Sequence, residues 1–227
     1  MVVQLDKELW FPDPHLADDD GCLAVGGDLS IDRLLLAYQH GIFPWYSFRD
    51  QDQPVWYCPH QRFVIFPSEI HISHSMRTLI NKQQYLVTIN RDFEGVIHQC
   101  SSLRYDEDGA WLGKAMIDAY TELHRQGFAA SVEVWEMQES PEQQDASEMP
   151  GRLVGGLYGV NIGSAFFGES MFSLVPSGSK LALIYLAKFL EKMGGSIIDC
   201  QLETAHRRSM GGRFISYDEY MKIISSS

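Results

Sequence analysis

Glu169, Asp199 and Gln201 are the residues of this sequence best placed to do chemistry. They lie in two short apolar runs, Gly163-Ser-Ala-Phe-Phe-Gly-Glu169-Ser-Met171-Phe-Ser173 and Ser196-Ile-Ile-Asp199-Cys-Gln201, whose composition suits strands. A carboxylate at the end of a buried strand is costly unless it meets a partner or a ligand. If the two strands are neighbours, the three polar groups face one cleft, and a cleft with two acids suits a cationic substrate. The plainer alternative for Glu169 and Asp199 is a structural role, satisfied by backbone groups or an arginine.

The elements that must position these residues follow from pattern and punctuation. The segment between the two runs predicts a helix over 177–193, closed by Gly194-Gly195. Residues 1–62 are rich in Pro, Gly, Asp and aromatics and hold one clear helix, Ile31 to His40, with Ser30 as N-cap and Gly41 just past its end. From Arg62 the pattern alternates. Strands are expected at 62–66, 85–90, 129–137, 152–160, 163–169 and 196–201. Helices are expected at 73–82, 92–101, 113–126, 203–210 and 216–225, the last opening on a Ser216/Glu219 capping box. This order predicts an α+β fold with a mixed sheet, divided into a small N-terminal domain (1–62) and a larger domain (63–227). The acidic, polar stretch 138–150 reads as a solvated hairpin loop.

Composition narrows the function. A net charge of −12 argues against broad nonspecific nucleic-acid binding while leaving room for a local basic patch. The four cysteines, Cys22, Cys58, Cys100 and Cys200, form no CxxC pair and read as reduced thiols of a cytoplasmic protein. No apolar run approaches membrane-spanning length, so a soluble chain without a membrane partner is expected. Tyr38-Gln-His-Gly-Ile-Phe-Pro-Trp45-Tyr46 is either a packed turn joining two lobes or an aromatic platform for a base. Trp111, after an acidic Gly-containing loop, is open in the same way.

Taken in series, several segments identify a family. Ala24-Val-Gly-Gly-Asp28-Leu29, Gly41-Ile-Phe-Pro-Trp45, His71-Ile-Ser73, Val154-Gly-Gly-Leu-Tyr158-Gly, Phe167-Gly-Glu169-Ser-Met-Phe172-Ser, Ser179-Lys180 and Ile198-Asp199-Cys200-Gln201 resemble the bacterial leucyl/phenylalanyl-tRNA–protein transferases, in order along most of the chain. The resemblance implies an enzyme that moves Leu, Phe or Met from aminoacyl-tRNA to the N-terminal amine of proteins beginning with Arg or Lys, marking them for N-degron degradation. It implies an acetyltransferase-like (GNAT/Fem-like) second domain and no metal or coenzyme. A monomer is expected.

The same resemblance makes Asp199 and Gln201 the catalytic pair, and two residues apart on a strand they would share a face. A Gln amide oxygen can accept a hydrogen bond from the amine and orient its lone pair, and Asp199 can orient that amide or help to receive the proton. A nearby carboxylate also favours the ammonium form, so the two jobs conflict. Glu169, with Asp199, is expected to hold the acceptor's charge or the donor's amino group. Leu157, Phe166, Met171, Ser173, Leu186, Leu190 and Ile198 match the aminoacyl side-chain pocket; Tyr38, Trp45 and Trp111 match the aromatics around the tRNA 3′ adenosine; Arg77 and Lys82 match its phosphate-binding helix. His74, Lys114, Lys180, Arg207, Arg208 and Arg213 are further candidate cations, and His206 either sits near the acceptor or braces a strand–helix junction. Cys200 points away from the pair and reads as core. Loop 138–150 and the segment 206–212 depart from the family pattern. Two other readings compete: an acyl-CoA N-acyltransferase, which needs a better pyrophosphate cradle than Val175-Pro-Ser-Gly-Ser-Lys180, and a non-enzymatic binder of basic N-termini, which has no use for the tryptophans or an apolar pocket.

Overall fold

The computed structural model describes residues 2–45, 53–102, 113–137 and 149–225. Up to Tyr57 it contains β1 (Val3–Leu5), β2 (Cys22–Gly26), α1 (Ile31–Gln39), β3 (Phe43–Trp45) and β4 (Val55–Tyr57). The four strands form one sheet in the order β1-β2-β4-β3. Sequence pattern missed them because strands of three to five residues are too short to display alternation. The turn-like Phe43-Pro-Trp45 is an edge strand, where the missing N–H of Pro44 costs no ladder bond. Helix α1 starts where Ser30 Oγ accepts the N–H of Arg33 and stops before Gly41, whose φ of +70° favours glycine.

The rest of the chain gives β5 (Gln61–Ile65), α2 (His74–Asn81), β6 (Tyr85–Ile89), α3 (Phe93–Ser102), α4 (Lys114–Arg125), β7 (Ala129–Met137), β8 (Gly151–Ile162), β9 (Ala165–Ser173), α5 (Gly178–Met193), β10 (Ile197–Asp199), α6 (Ala205–Ser209), β11 (Arg213–Ser216) and α7 (Tyr217–Ser225). Seven strands form a second sheet in the order β11-β5-β10-β9-β8-β7-β6. It is mixed, because β10 runs parallel to β9 and antiparallel to β5. The fold is therefore α+β, a small N-terminal sheet beside a larger mixed one. Strand β11 was not foreseen. Pairing of Met137 with Gly151 makes β7 and β8 a hairpin, and most of the expected connecting loop lies outside the described residues.

Alternation along the strands feeds two cores. Val64, Phe167 and Ile197 face one cluster with Leu34, Tyr38, Tyr120 and Tyr220, while Phe63, Ile65, Phe166 and Ile198 face another with Leu181, Leu183 and Leu186 of α5. The first cluster spans both lobes, so the small sheet and α1 pack directly onto the large sheet.

One irregularity matters for function. Tyr158 pairs with Ser170 but its neighbour Gly159 pairs with Gly168, so Glu169 is the extra residue of a β-bulge. The bulge shifts alternation by one. Phe166 and Met171, an odd number apart, therefore face the same side, and so do Phe167 and Phe172. Glu169 points into the first cluster, while Met171 joins Phe166 on the opposite face.

Candidate active site

Glu169 is buried and meets three donors. Its Oε1 accepts Tyr38 Oη–H at 2.8 Å and Gln201 Nε2–H at 3.1 Å, and its Oε2 accepts Tyr120 Oη–H at 2.9 Å. The two phenol oxygens are themselves only 2.6 Å apart. Burial pushes the Glu169 carboxyl up to about 7, with the Asp199 charge adding to the rise against the lowering effect of the three donors. Burial and the neighbouring carboxyl raise both tyrosines well above their ordinary value, so they stay protonated.

Asp199 is fully buried and fully engaged. Oδ2 accepts from Arg62 Nη2 and from Tyr220 Oη at 2.8 Å, and Oδ1 accepts the backbone N–H of Gln201 at 2.8 Å. Arg62 is equally buried, sandwiched between the rings of Phe43 and Tyr220 at 5.1 and 4.7 Å, and gives Nη1–H to Gly41 O. Burial alone would lower Arg62, but the Asp199 carboxylate outweighs it and keeps the guanidinium charged. One acid thus carries its counterion, and among the described residues the other has none.

The expected geometry of the pair needs correction. Strand β10 ends at Asp199, and Gln201 lies beyond it at φ +59°, left-handed backbone that non-glycine residues rarely adopt. Alternation does not bring the two side chains together; the Asp199 carboxylate grips the Gln201 main chain. Nε2 of Gln201 donates to Glu169 Oε1, so the Gln201 Oε1 turns away, taking no hydrogen bond from any described residue. Asp199 has no exposed surface, so its expected contact with the acceptor is also corrected: Gln201 and Glu169 are the members nearer the surface.

On the opposite face of β9 and β10 is a narrow apolar slot. Leu157, Phe166, Met171, Leu186 and Ile198 line it, joined by Leu183, Gly168, Ser170, Tyr158, Cys200 and Arg207. Ser173 and Leu190 do not. Ser173 lies past the slot at a wider hollow shared with Ser177, Lys180 and His206, where its Oγ donates to Val175 O at 2.7 Å. Leu190 is plain core at the far end of α5. Cys200 is buried as expected, its thiol pushed up to about 12 by burial.

Trp45 stands on edge strand β3, 39% exposed, its ring tilted against Tyr57 at 5.5 Å. Tyr38 offers no such face. It is wholly buried, edge-on to Phe167 with its hydroxyl on Glu169, which overturns its expected place against an adenosine. Trp111 lies outside the described residues. Arg77 and Lys82 are exposed on and just after α2. The other candidate cations are largely committed. Lys114 pairs with Asp118, Arg208 with Glu203 and Arg213 with Glu69, while Arg207 braces the turn after β10 through Cys200 O and Leu202 O at 2.7 and 2.9 Å. His206 is half-buried at the hollow, lowered by burial and by Lys180 and Arg207. Sequence reasoning missed Tyr120 and Arg62, because a phenol in a helix and an arginine in a strand have no local signature. Among the described residues no cluster of His, Cys, Asp and Glu could hold a metal ion, and no helix is long and apolar enough to cross a membrane.

Comparison with known proteins gives a consistent set of matches. Residues 64–225 match the family described as leucyl/phenylalanyl-tRNA protein transferase, and residues 27–60 match the N-terminal domain of the same family. A curated leucyl/phenylalanyl-tRNA–protein transferase of Hydrogenovibrio crunogenus is 47% identical over 96% of this chain and 80% of its own length. That of Syntrophobacter fumaroxidans is 44% identical over 100% and 91%, and that of Flavobacterium johnsoniae 45% identical over 98% of both. Among solved structures, L-PGS from Bacillus licheniformis superposes with a TM-score of 0.44 at 12% identity, covering 89% of this chain and 72% of that one.

Proposed function

The chain belongs to the leucyl/phenylalanyl-tRNA–protein transferase family of aminoacyltransferases, and from that membership we propose that it transfers Leu, Phe or Met from aminoacyl-tRNA to the N-terminal amine of proteins beginning with Arg or Lys. Such a product would enter N-degron degradation in the cytoplasm. The observation that carries this reading is the placement of Gln201 and Glu169 on the same two-strand unit as the apolar slot, joined through β9 and β10. A donor side chain seats in the slot, and its ester carbonyl lies at the strand ends. The adenosine at the other end of the ester stacks on Trp45, and Arg77 and Lys82 meet phosphates.

The chemistry asks little beyond placement. The ester is already activated, and an α-amine with an ordinary pKa of about 7.7–8.0 is partly neutral near pH 7. Gln201 Oε1 accepts one N–H of the amine and aims its lone pair at the carbonyl. The C–N bond forms, the bond to the ribose oxygen breaks, the amine loses a proton and the ribose oxygen gains one. Asp199 acts through Gln201 as a positioning residue, with its charge balanced by Arg62. Holding two reactants in register can supply several kcal/mol of barrier lowering, about 7–11 in the best intramolecular cases.

The test is direct. With tRNA carrying radiolabelled Leu, a model protein starting with Arg or Lys should become labelled, and the same protein starting with Glu or Ala should not. Equal labelling of all four would refute the acceptor class, and no labelling with any would refute the transfer reading.

A further inference from the structure

Three oxygen–oxygen contacts close a triangle at the centre of the site: Tyr38 to Glu169 at 2.8 Å, Tyr120 to Glu169 at 2.9 Å and Tyr38 to Tyr120 at 2.6 Å. Each contact at such a distance needs one hydrogen between its oxygens. The two phenols bring two protons, and the third contact is filled only if the carboxyl brings one. With Glu169 ionised, both phenol protons turn to the carboxylate and the shortest contact sets oxygen against oxygen with nothing between. With Glu169 neutral, carboxyl O–H donates to one phenol, that phenol to the second, and the second back to the other carboxyl oxygen. All three groups are buried, so no solvent substitutes for the missing hydrogen.

The surroundings favour the same proton count. Facing Glu169 are Tyr38 from α1, Tyr120 from α4, Gln201 beyond β10 and the Asp199 carboxylate of β10, with Tyr158 of β8 edge-on to Tyr120. Among the described residues Glu169 forms no ion pair with any cation. The buried guanidinium of Arg62 is spent on Asp199.

We propose that Tyr38, Tyr120 and Glu169 form a proton-sharing ring that keeps Glu169 a neutral acid in the empty site and gives up its proton when a cationic acceptor terminus docks. The ring removes the conflict noted from sequence, since neither acid shows the waiting site an unbalanced charge that would hold the amine as ammonium. Docking of a cation supplies the counter-charge the carboxylate lacks, and one proton leaves as the cation arrives. Charge is conserved in that exchange: neutral carboxyl plus cation gives carboxylate–cation pair plus a released proton. Tyr38 and Tyr120 are positioning residues here. Burial, which carries Glu169 up to about 7, places the exchange within the range where an enzyme works. The docking step rests on the Arg/Lys acceptor reading; the ring in the free enzyme does not.

Isotope-edited infrared spectroscopy of the full chain with labelled glutamate tests both parts. At about pH 6 the free enzyme should show a protonated-carboxyl band that Glu169→Gln removes and that Tyr120→Phe or Tyr38→Phe shifts. An ionised Glu169 at that pH, or a band indifferent to both tyrosine variants, overturns the ring. Adding a saturating peptide that begins with Arg should abolish the band; its persistence with peptide bound overturns the exchange. A band that is present and correctly assigned in the free enzyme, with no binding of the Arg peptide, supports the ring and counts against the acceptor class instead.

Discussion

Asp199 fixes Gln201 through the main chain: Oδ1 accepts the Gln201 N–H at 2.8 Å while Gln201 sits at φ +59°. The side chain proposed to meet the amine is therefore held in a left-handed backbone conformation costing on the order of 1–2 kcal/mol for a non-glycine residue. Gln201→Gly should leave the protein as stable or more stable, by up to ~1 kcal/mol, because glycine adopts this φ freely. Turnover should nonetheless fall by roughly 100-fold or more, since the orienting amide is gone. Denaturant unfolding and single-turnover transfer would read the two effects separately; a clear loss of stability in the glycine variant refutes the strain assignment.

Asp199 and Arg62 form a buried pair, and removing one member strands the other. Asp199→Asn should cost about 3–5 kcal/mol of stability, most of it from an uncompensated guanidinium. Adding Arg62→Met should restore part of the stability without restoring turnover, because Gln201 remains unbraced. Urea midpoints for the single and double variants, compared with transfer rates, check this; full recovery of activity in the double variant would show that Asp199 has no positioning role.

Glu169 gives the stability a pH dependence of definite sign. Its folded value of about 7 exceeds the ordinary 4.5, so between those values the folded state binds more protons than the unfolded chain. Its contribution is full below about pH 4.5 and is lost as the pH rises through 7, on the order of 1–3 kcal/mol in all. Glu169→Gln should flatten that window and be the more stable form at pH 8 relative to wild type. Thermal unfolding across pH 5–8 provides the check, and parallel curves for the two proteins would contradict the buried-acid picture.

Trp45→Ala should raise KM for aminoacyl-tRNA about tenfold or more with a smaller change in kcat, as loss of one base-stacking ring costs roughly 1–3 kcal/mol. Its exposure on an edge strand separates a change in binding from a folding defect. Steady-state kinetics with varied Leu-tRNA decides the matter, an unchanged KM assigning the adenosine to another surface.

Leu157 faces Met171 across β8 and β9 and lines the slot with Phe166 and Ile198. Leu157→Phe narrows the slot and should penalise Phe more than Leu as donor, by about 1–3 kcal/mol in relative kcat/KM. Competition between differently labelled Leu-tRNA and Phe-tRNA measures the ratio, and an unaltered preference would move the donor side chain elsewhere.

Much of this was legible in the sequence, for identifiable reasons. Long elements such as α5 and the β7–β8 hairpin declare themselves through periodicity, and caps such as Ser30 and Gly41 through residue type. The short strands β1 to β4 do not, because too few residues repeat. The slot was partly readable: Leu157, Phe166, Met171, Leu186 and Ile198 line it, but Ser173 and Leu190 do not, since distance along a strand or helix does not tell where a cavity ends.

By itself the sequence determined which chemistry was available, an amide and two acids in short apolar strands together with aromatic-rich segments, and which family arranges them so. Only the tertiary structure decided their charge and access. Burial and partners are set by contacts far apart in the chain, Arg62 on Asp199, Tyr38 and Tyr120 on Glu169. A single extra residue in β9 turns Glu169 to one face and Met171 to the other, a choice that strand alternation read along the sequence cannot make.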